Sequence, residues 1–357
     1  MTKLMVTNVA CNVRKSNTTD SAVVGSLKSN IEIAVEGIVG GWYELPLSWG
    51  YIRQDLLREK TTPPIDPNPP NPPLPPPPPL GNWYVPMQKV RGVGISAGGW
   101  SPDAGMLNRV TKNNIKTAFI CAYERGQAKG TIKALKNAGV NNFIFRGCWR
   151  GGMEFFAEES ADILAEYYNE MENVYGAGNF PFVVQVHNEP NLTTEGYLQK
   201  NGGWNDGYAF AEFYRKTVLL YKSKFTNLFA GFPALSPGVG IVSGTLQRRA
   251  ETVFASECAS VIKDTKLTSW VGVHYYWQDA QGADITPPMA LWQKIYYNRP
   301  LIATEVAPVD SLTISNNAVK ISYQRFDSVG VPAIGYILSG TGAWVNADWM
   351  KNNILLN

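Results

Sequence analysis

The most restrictive feature of the chain is a tract that can form neither helix nor sheet. Residues 61–80, TTPPIDPNPPNPPLPPPPPL, hold 12 of the 24 prolines. Proline lacks a backbone N–H and fixes φ near −65°, so the tract is expected to be extended polyproline II. At ~3.1 Å per residue it would span roughly 60 Å as a semi-rigid spacer. The 357 residues therefore divide into a short segment, 1–60, a linker, 61–82, and a long segment, 83–357. Two folding units on a spacer suggest a targeting module tethered to a working module. The other role open to such a tract is as a ligand of proline-binding domains.

Charge and cysteine content remove several function classes. The net charge is +3 with no Lys/Arg block, so no nucleic-acid partner is indicated. No apolar run reaches the ~18 residues of a membrane span. The first residues, MTKLMVTNVACNVRKSN, lack the apolar core of a signal peptide. Cys11, Cys121, Cys148 and Cys258 are too widely spaced for a zinc site. They are expected as buried thiols, with a Cys121–Cys148 bridge left open. Two histidines exclude His-rich metal chemistry, and no cofactor or metal is expected.

Residues 1–60 read as short strands separated by Asn, Ser, Gly and Asp turns. Asn12-Val13-Arg14, Val24-Gly25-Ser26-Leu27, Gly41-Trp42-Tyr43-Glu44-Leu45 and Gly50-Tyr51-Ile52 resemble the bacterial SH3-type (SH3b) domain. That resemblance implies a small β-barrel with a possible cell-wall ligand. Trp42, Trp49 and Tyr51 are either its core or an exposed binding face.

Residues 83–357 alternate apolar strand-like runs with segments of helical period. The strand candidates are VRGVGIS (90–96), KTAFICAY (116–123), NNFIFRGCW (141–149), FPFVVQVHNEP (180–190), NLFAGFPALS (227–236), SWVGVHYYW (269–277), PLIATEVAP (300–308) and VPAIGYILSG (331–340). Continuous apolar strands belong to parallel sheets covered on both faces. Eight β/α units in about 275 residues fit a (β/α)8 TIM barrel, which typically needs ~250. A doubly wound sheet would call for a Gly-rich phosphate turn after the first strand, and GISAGGWSPDAG lacks GxGxxG.

In such a barrel the active site lies at the C-terminal ends of the strands. Arg146 and Trp149 end the third. His187, Asn188 and Glu189 end the fourth, His274, Tyr276 and Trp277 the sixth, and Thr304 and Glu305 the seventh, while Trp344 follows the eighth. Both histidines of the chain fall in this set. Paired carboxylates facing a polar, aromatic-lined cleft are what glycoside hydrolysis requires, one as proton donor and one as nucleophile or base. A shared pocket would push their pKa values apart. By strand alternation His187 should share the side of Glu189. Glu124 is a spare carboxylate, and Asp279 and Asp310 read as solvated loop residues.

VVQVHNEP, VGVHYYW and PLIATEVAP together resemble the signature segments of the clan A glycoside hydrolases. The resemblance implies Glu189 as general acid/base and Glu305 as nucleophile of a retaining mechanism. Asn188 would bind the sugar 2-hydroxyl, Tyr276 would hold Glu305, and His274 would line the site and bind sugar or Glu189. Arg146 would lower the Glu305 pKa. Apart from the resemblance, Trp149, Trp277 and Trp344 at the barrel rim are candidate sugar platforms or packing residues, and His187 either supports the site or packs in the core. Two departures stand out: the arginine many members carry on the second strand is here on the third, and the usual tryptophan of the eighth strand is absent from GYILSG. The expectation is a retaining, endo-acting β-glycosidase of a polysaccharide, secreted or at the cell surface. A wall-lytic hydrolase of a bacterial surface glycan and a non-catalytic glycan-binding barrel are the alternatives.

Overall fold

The computed structural model describes residues 3–27, 32–35, 37–44, 51–59, 83–95, 104–147, 156–198, 203–237, 240–242, 245–277, 284–308 and 316–339. The chain divides into two compact units, Met1–Leu74 and Pro75–Asn357. Their boundary falls inside the proline tract.

The first unit is all-β. Its strands are β1 (Lys3–Thr7), β2 (Cys11–Arg14), β3 (Val23–Leu27), β4 (Glu32–Val35), β5 (Gly37–Val39), β6 (Trp42–Glu44), β7 (Tyr51–Arg53) and β8 (Leu57–Glu59). Among the described residues they form two antiparallel sheets, β4-β1-β8 and β3-β2-β7-β6-β5, rather than one closed ring. Met5, Cys11, Val13, Val35, Tyr43, Ile52 and Leu57 make the core. Trp42 is buried and Tyr51 half-buried, while Trp49 lies outside the described residues.

The second unit is a closed barrel of eight parallel strands. In chain order its elements are β9 (Gly92–Ile95), α1 (Ala104–Lys112), β10 (Thr117–Cys121), α2 (Thr131–Asn137), β11 (Asn142–Gly147), α3 (Phe156–Tyr175), β12 (Phe182–Val186), α4 (Gly207–Lys224) and β13 (Leu228–Phe232). After a hairpin, β14 (Gly240–Val242) and β15 (Thr245–Arg248), come α5 (Glu251–Glu257), α6 (Ala259–Ile262), β16 (Trp270–Trp277), α7 (Thr286–Ile295), β17 (Leu301–Pro308), α8 (Asn316–Ser328) and β18 (Ala333–Ser339). All eight expected strands form. The hairpin interrupts the expected strand–helix alternation: residues 245–248 do not begin the helix that follows the fifth strand but pair as β15 with β14.

Helix faces follow from spacing. Ala161, Leu164, Tyr168 and Met171 on α3, and Phe210, Tyr214, Val218 and Tyr221 on α4, recur every three or four residues and are buried against the strands. Asp206 caps α4 by accepting from the Ala209 N–H at 2.8 Å, a contact worth about 1 kcal/mol.

The strands alternate between two cores. One face packs under the helices. The other fills the lower barrel with Phe119, Cys121, Ile144, Val183, Trp270, Ile302 and Ile334, joined by Trp83, Tyr84 and Met87 from the chain just before β9. Trp83 stacks on Phe229 at 4.9 Å, and the Tyr84 hydroxyl donates to Leu301 O at 2.6 Å. Gly231 has no side chain because the Trp270 indole occupies that space. Cys121 is a buried free thiol in this interior, so the Cys121–Cys148 bridge is not formed; Cys148 lies outside the described residues.

Candidate active site

The inward-facing positions change character toward the C-terminal ends of the strands. On β11, Ile144 is followed two residues later by Arg146; on β16, Trp270 is followed by Gly272, His274 and Tyr276. A side chain at Gly272 would meet Gln185 Oε1 at 2.6 Å, so this glycine makes room for a buried polar layer. Arg146, His274, Tyr276 and both glutamates then converge.

Glu305 reaches the barrel axis through an irregularity. Val273 pairs with Ala303, but His274 pairs with Glu305, so β17 carries one extra residue, Thr304. A bulge of this kind re-aims the following side chain. Without it, alternation from Ile302 would turn Glu305 toward the helices.

Glu189 is placed by local backbone conformation. His187 has φ 77° and Glu189 φ 36°. Left-handed conformations cost non-glycine residues roughly 1–2 kcal/mol each. The double turn also breaks the alternation that would have put the two side chains together. His187 instead lies edge-on to Trp204, just before α4, at 5.0 Å and to Phe210 of α4 at 6.0 Å. Its Nδ1 contacts Asn188 O at 2.7 Å. Burial pushes its pKa down to about 4, so the ring is neutral at ordinary pH and donates there. His187 is therefore a packing and bracing residue, not a sugar contact.

The polar contacts form one network. Arg146 Nη2 donates to Glu305 Oε1 at 2.7 Å and Tyr276 OH to Glu305 Oε2 at 2.5 Å. His274 Nδ1 lies 2.8 Å from Glu189 Oε1 and 3.6 Å from Glu305 Oε2. Arg146 Nη2 sits 3.5 Å from His274 Nε2. Arg146 can only donate, and His274 Nδ1 faces the Glu189 carboxylate. The Arg146 guanidinium also lies over the Phe119 ring at 4.6 Å. Burial acts to raise the Glu305 pKa. The His274 ring, the Arg146 charge and the bonds from Tyr276 and Arg146 outweigh it, and the carboxyl is held below its usual range. Arg146 stays charged despite its burial, through the Tyr123 and Glu305 sites beside it.

Asn188 is buried next to Glu189, and its Nδ2 donates to Glu195 Oε1 at 3.4 Å. Trp277 is not at the mouth: it faces the helical layer, stacked on Tyr275 at 6.4 Å. Alternation explains this, since Trp277 is odd-numbered from the inward Tyr276. Trp149, Trp344, Asp279 and Asp310 lie outside the described residues. Glu124 is exposed and accepts from Gln127 Nε2 at 2.6 Å. Among the described residues no three His, Cys, Asp or Glu side chains group as metal ligands, and no helix is long and apolar enough to cross a membrane.

Solved structures similar to this barrel are glycoside hydrolases. A glucosidase from Croceicoccus marinus is 11% identical over 74% of this chain and 62% of that one, with a TM-score of 0.49. A mannanase catalytic domain from Streptomyces sp. SirexAA-E is 10% identical over 71% and 76%, with a TM-score of 0.48. An endo-β-1,3-glucanase from Amycolatopsis mediterranei is 16% identical over 74% and 98%, with a TM-score of 0.44. At these identities the likeness is one of fold. No family model and no curated protein matches the chain.

Three contributors escaped the sequence reading. Tyr123, two residues beyond the end of β10, lies beside Arg146 and Cys121 and interacts with both. Its place at a strand C-terminus was the available signal. Glu195 and Asn191 lie in the loop after β12, where no spacing rule singles them out.

Proposed function

We propose that the barrel is a retaining β-glycosidase acting on a β-linked polysaccharide. One observation carries this reading: a single imidazole nitrogen lies within reach of two carboxylates whose environments differ. Two carboxylates facing one nitrogen in this way are consistent with the closely spaced pair of a retaining site. The buried Glu305, held ionised by Arg146 and Tyr276, is the nucleophile. Glu189, the less buried of the two, is the acid/base.

In the first step a Glu305 oxygen bonds the anomeric carbon as the glycosidic C–O bond breaks, and Glu189 gives its proton to the leaving oxygen. In the second, Glu189 takes a proton from water, the water oxygen bonds the anomeric carbon, and the Glu305 ester bond breaks. Asn188 holds the sugar 2-hydroxyl. The residues that perform both steps are in the chain, and no cofactor enters. The N-terminal unit on its proline spacer is read as a tether to a surface or wall polymer, with the enzyme working outside the cell, where such polymers are met.

The test is reducing-sugar release from β-1,3- and β-1,4-glucans, mannan, xylan and purified bacterial cell walls, with Glu305→Gln in parallel. Release from one polymer, abolished in the variant, is expected; a rapid fall in viscosity would show endo action. Release from cell walls alone would make the protein wall-lytic. Release that persists in Glu305→Gln would overturn the assignment.

A further inference from the structure

Regular pairing of β12 with β13 ends at Gln185 and Gly231. Beyond it the chain turns left-handed twice, at His187 and Glu189. One backbone bond survives there, from Glu189 N to Ala234 O at 3.0 Å. Two residues later Asn191 is fully buried. Its Nδ2 donates to Ser236 O at 2.8 Å and Arg249 O at 2.9 Å, and its Oδ1 accepts from Ser236 N at 2.8 Å. Arg249 N also donates to Asn191 O at 2.9 Å. The side-chain amide thus exchanges both an N–H and a C=O bond with one backbone residue, as a peptide group does in a ladder. It ties the Glu189 segment to the segments after β13 and β15 where ordinary strand pairing has stopped.

We infer that Asn191 is a positioning residue for Glu189: its amide stands in for a missing peptide group and fixes the direction of the carboxyl that must reach the leaving oxygen. The inference rests on Glu189 being the acid/base. It makes a prediction that loop stabilisation alone does not. A misdirected acid slows only those cleavages whose leaving group needs a proton. A displacement near 1 Å costs roughly 100-fold in such a step.

The experiment measures kcat/KM of full-length wild type, Asn191→Ala and Glu189→Gln on two glycosides of the sugar that the polysaccharide panel identifies. One has a 2,4-dinitrophenyl leaving group, which departs unprotonated; the other has phenyl, which does not. Asn191→Ala should lose about 10–100-fold on the phenyl glycoside and less than ~3-fold on the dinitrophenyl one, a smaller copy of the Glu189→Gln pattern. Asn191→Asp, similar in shape but unable to donate to Ser236 and Arg249, should show the same bias and carries the test if the alanine variant does not fold. Equal losses on both glycosides, or none on either, would overturn the inference. Absence of leaving-group bias in Glu189→Gln would overturn the acid/base assignment instead.

Discussion

The same strands build both ends of the barrel, and the two ends are held together differently. β11 supplies Ile144 below and Arg146 above; β17 supplies Ile302 below and Glu305 above. The floor is a packed apolar cluster closed by Trp83, Tyr84 and Met87. Its stabilisation is non-directional and scales with buried area. The mouth is a network of charged and polar groups taken out of water, each dependent on a partner of the right geometry. The lesson is a division of labour: the floor maintains the fold, while the mouth draws on that stability to hold strained backbone and a buried ion pair.

That contrast is easiest to break with Glu305→Gln. Turnover should fall about 10⁴-fold or more while circular dichroism still reports a folded barrel. Trp83→Ala should do the reverse: urea unfolding should show a loss of about 3–5 kcal/mol, with kcat per folded molecule unchanged. Arg146→Met falls between them. It leaves Glu305 buried without its guanidinium, which should cost about 3–5 kcal/mol and move the acidic limb of the pH–rate profile upward. The smallest effect is a pH dependence. The folded His187 titrates at about 4 against an ordinary 6.5 because it is buried. Between those values the unfolded chain binds a proton that the folded one refuses, so stability drops as pH falls from 6.5 to 4. The drop is about 3 kcal/mol at 1.36 kcal/mol per unit, and thermal melts of His187→Gln should lack that part of the slope. Glu305 acts lower: its depressed pKa stabilises above the ordinary glutamate range and is lost as pH falls through the folded value.

The floor and the strand order were legible because apolar runs such as FPFVVQV and PLIATEV are continuous and evenly spaced by helical segments. Identifying Arg146, His274 and Tyr276 required only the rule that chemistry sits at strand C-termini. What alternation could not deliver were the exceptions to alternation. Glu305 faces inward because Thr304 is an extra residue in β17, and His187 faces outward because its backbone is left-handed. Trp277 misled in the opposite way: it obeys alternation, and its neighbour Tyr276 already occupied the inward position. The hairpin β14–β15 was missed because its four-residue strand TLQR leads directly into a segment of helical composition. Asn191 was invisible because its role depends on where β13 ends in space.

The measurement that most directly tests the two-carboxylate account is the stereochemistry of cleavage, followed by proton NMR from the first seconds of reaction on the β-linked polymer the enzyme accepts. If cleavage runs through a glycosyl ester on Glu305, as proposed, the β-anomer should appear first and the α-anomer only by slow mutarotation. An α-anomer formed first would mean direct attack by water, and Glu305 would then be a base, not a nucleophile.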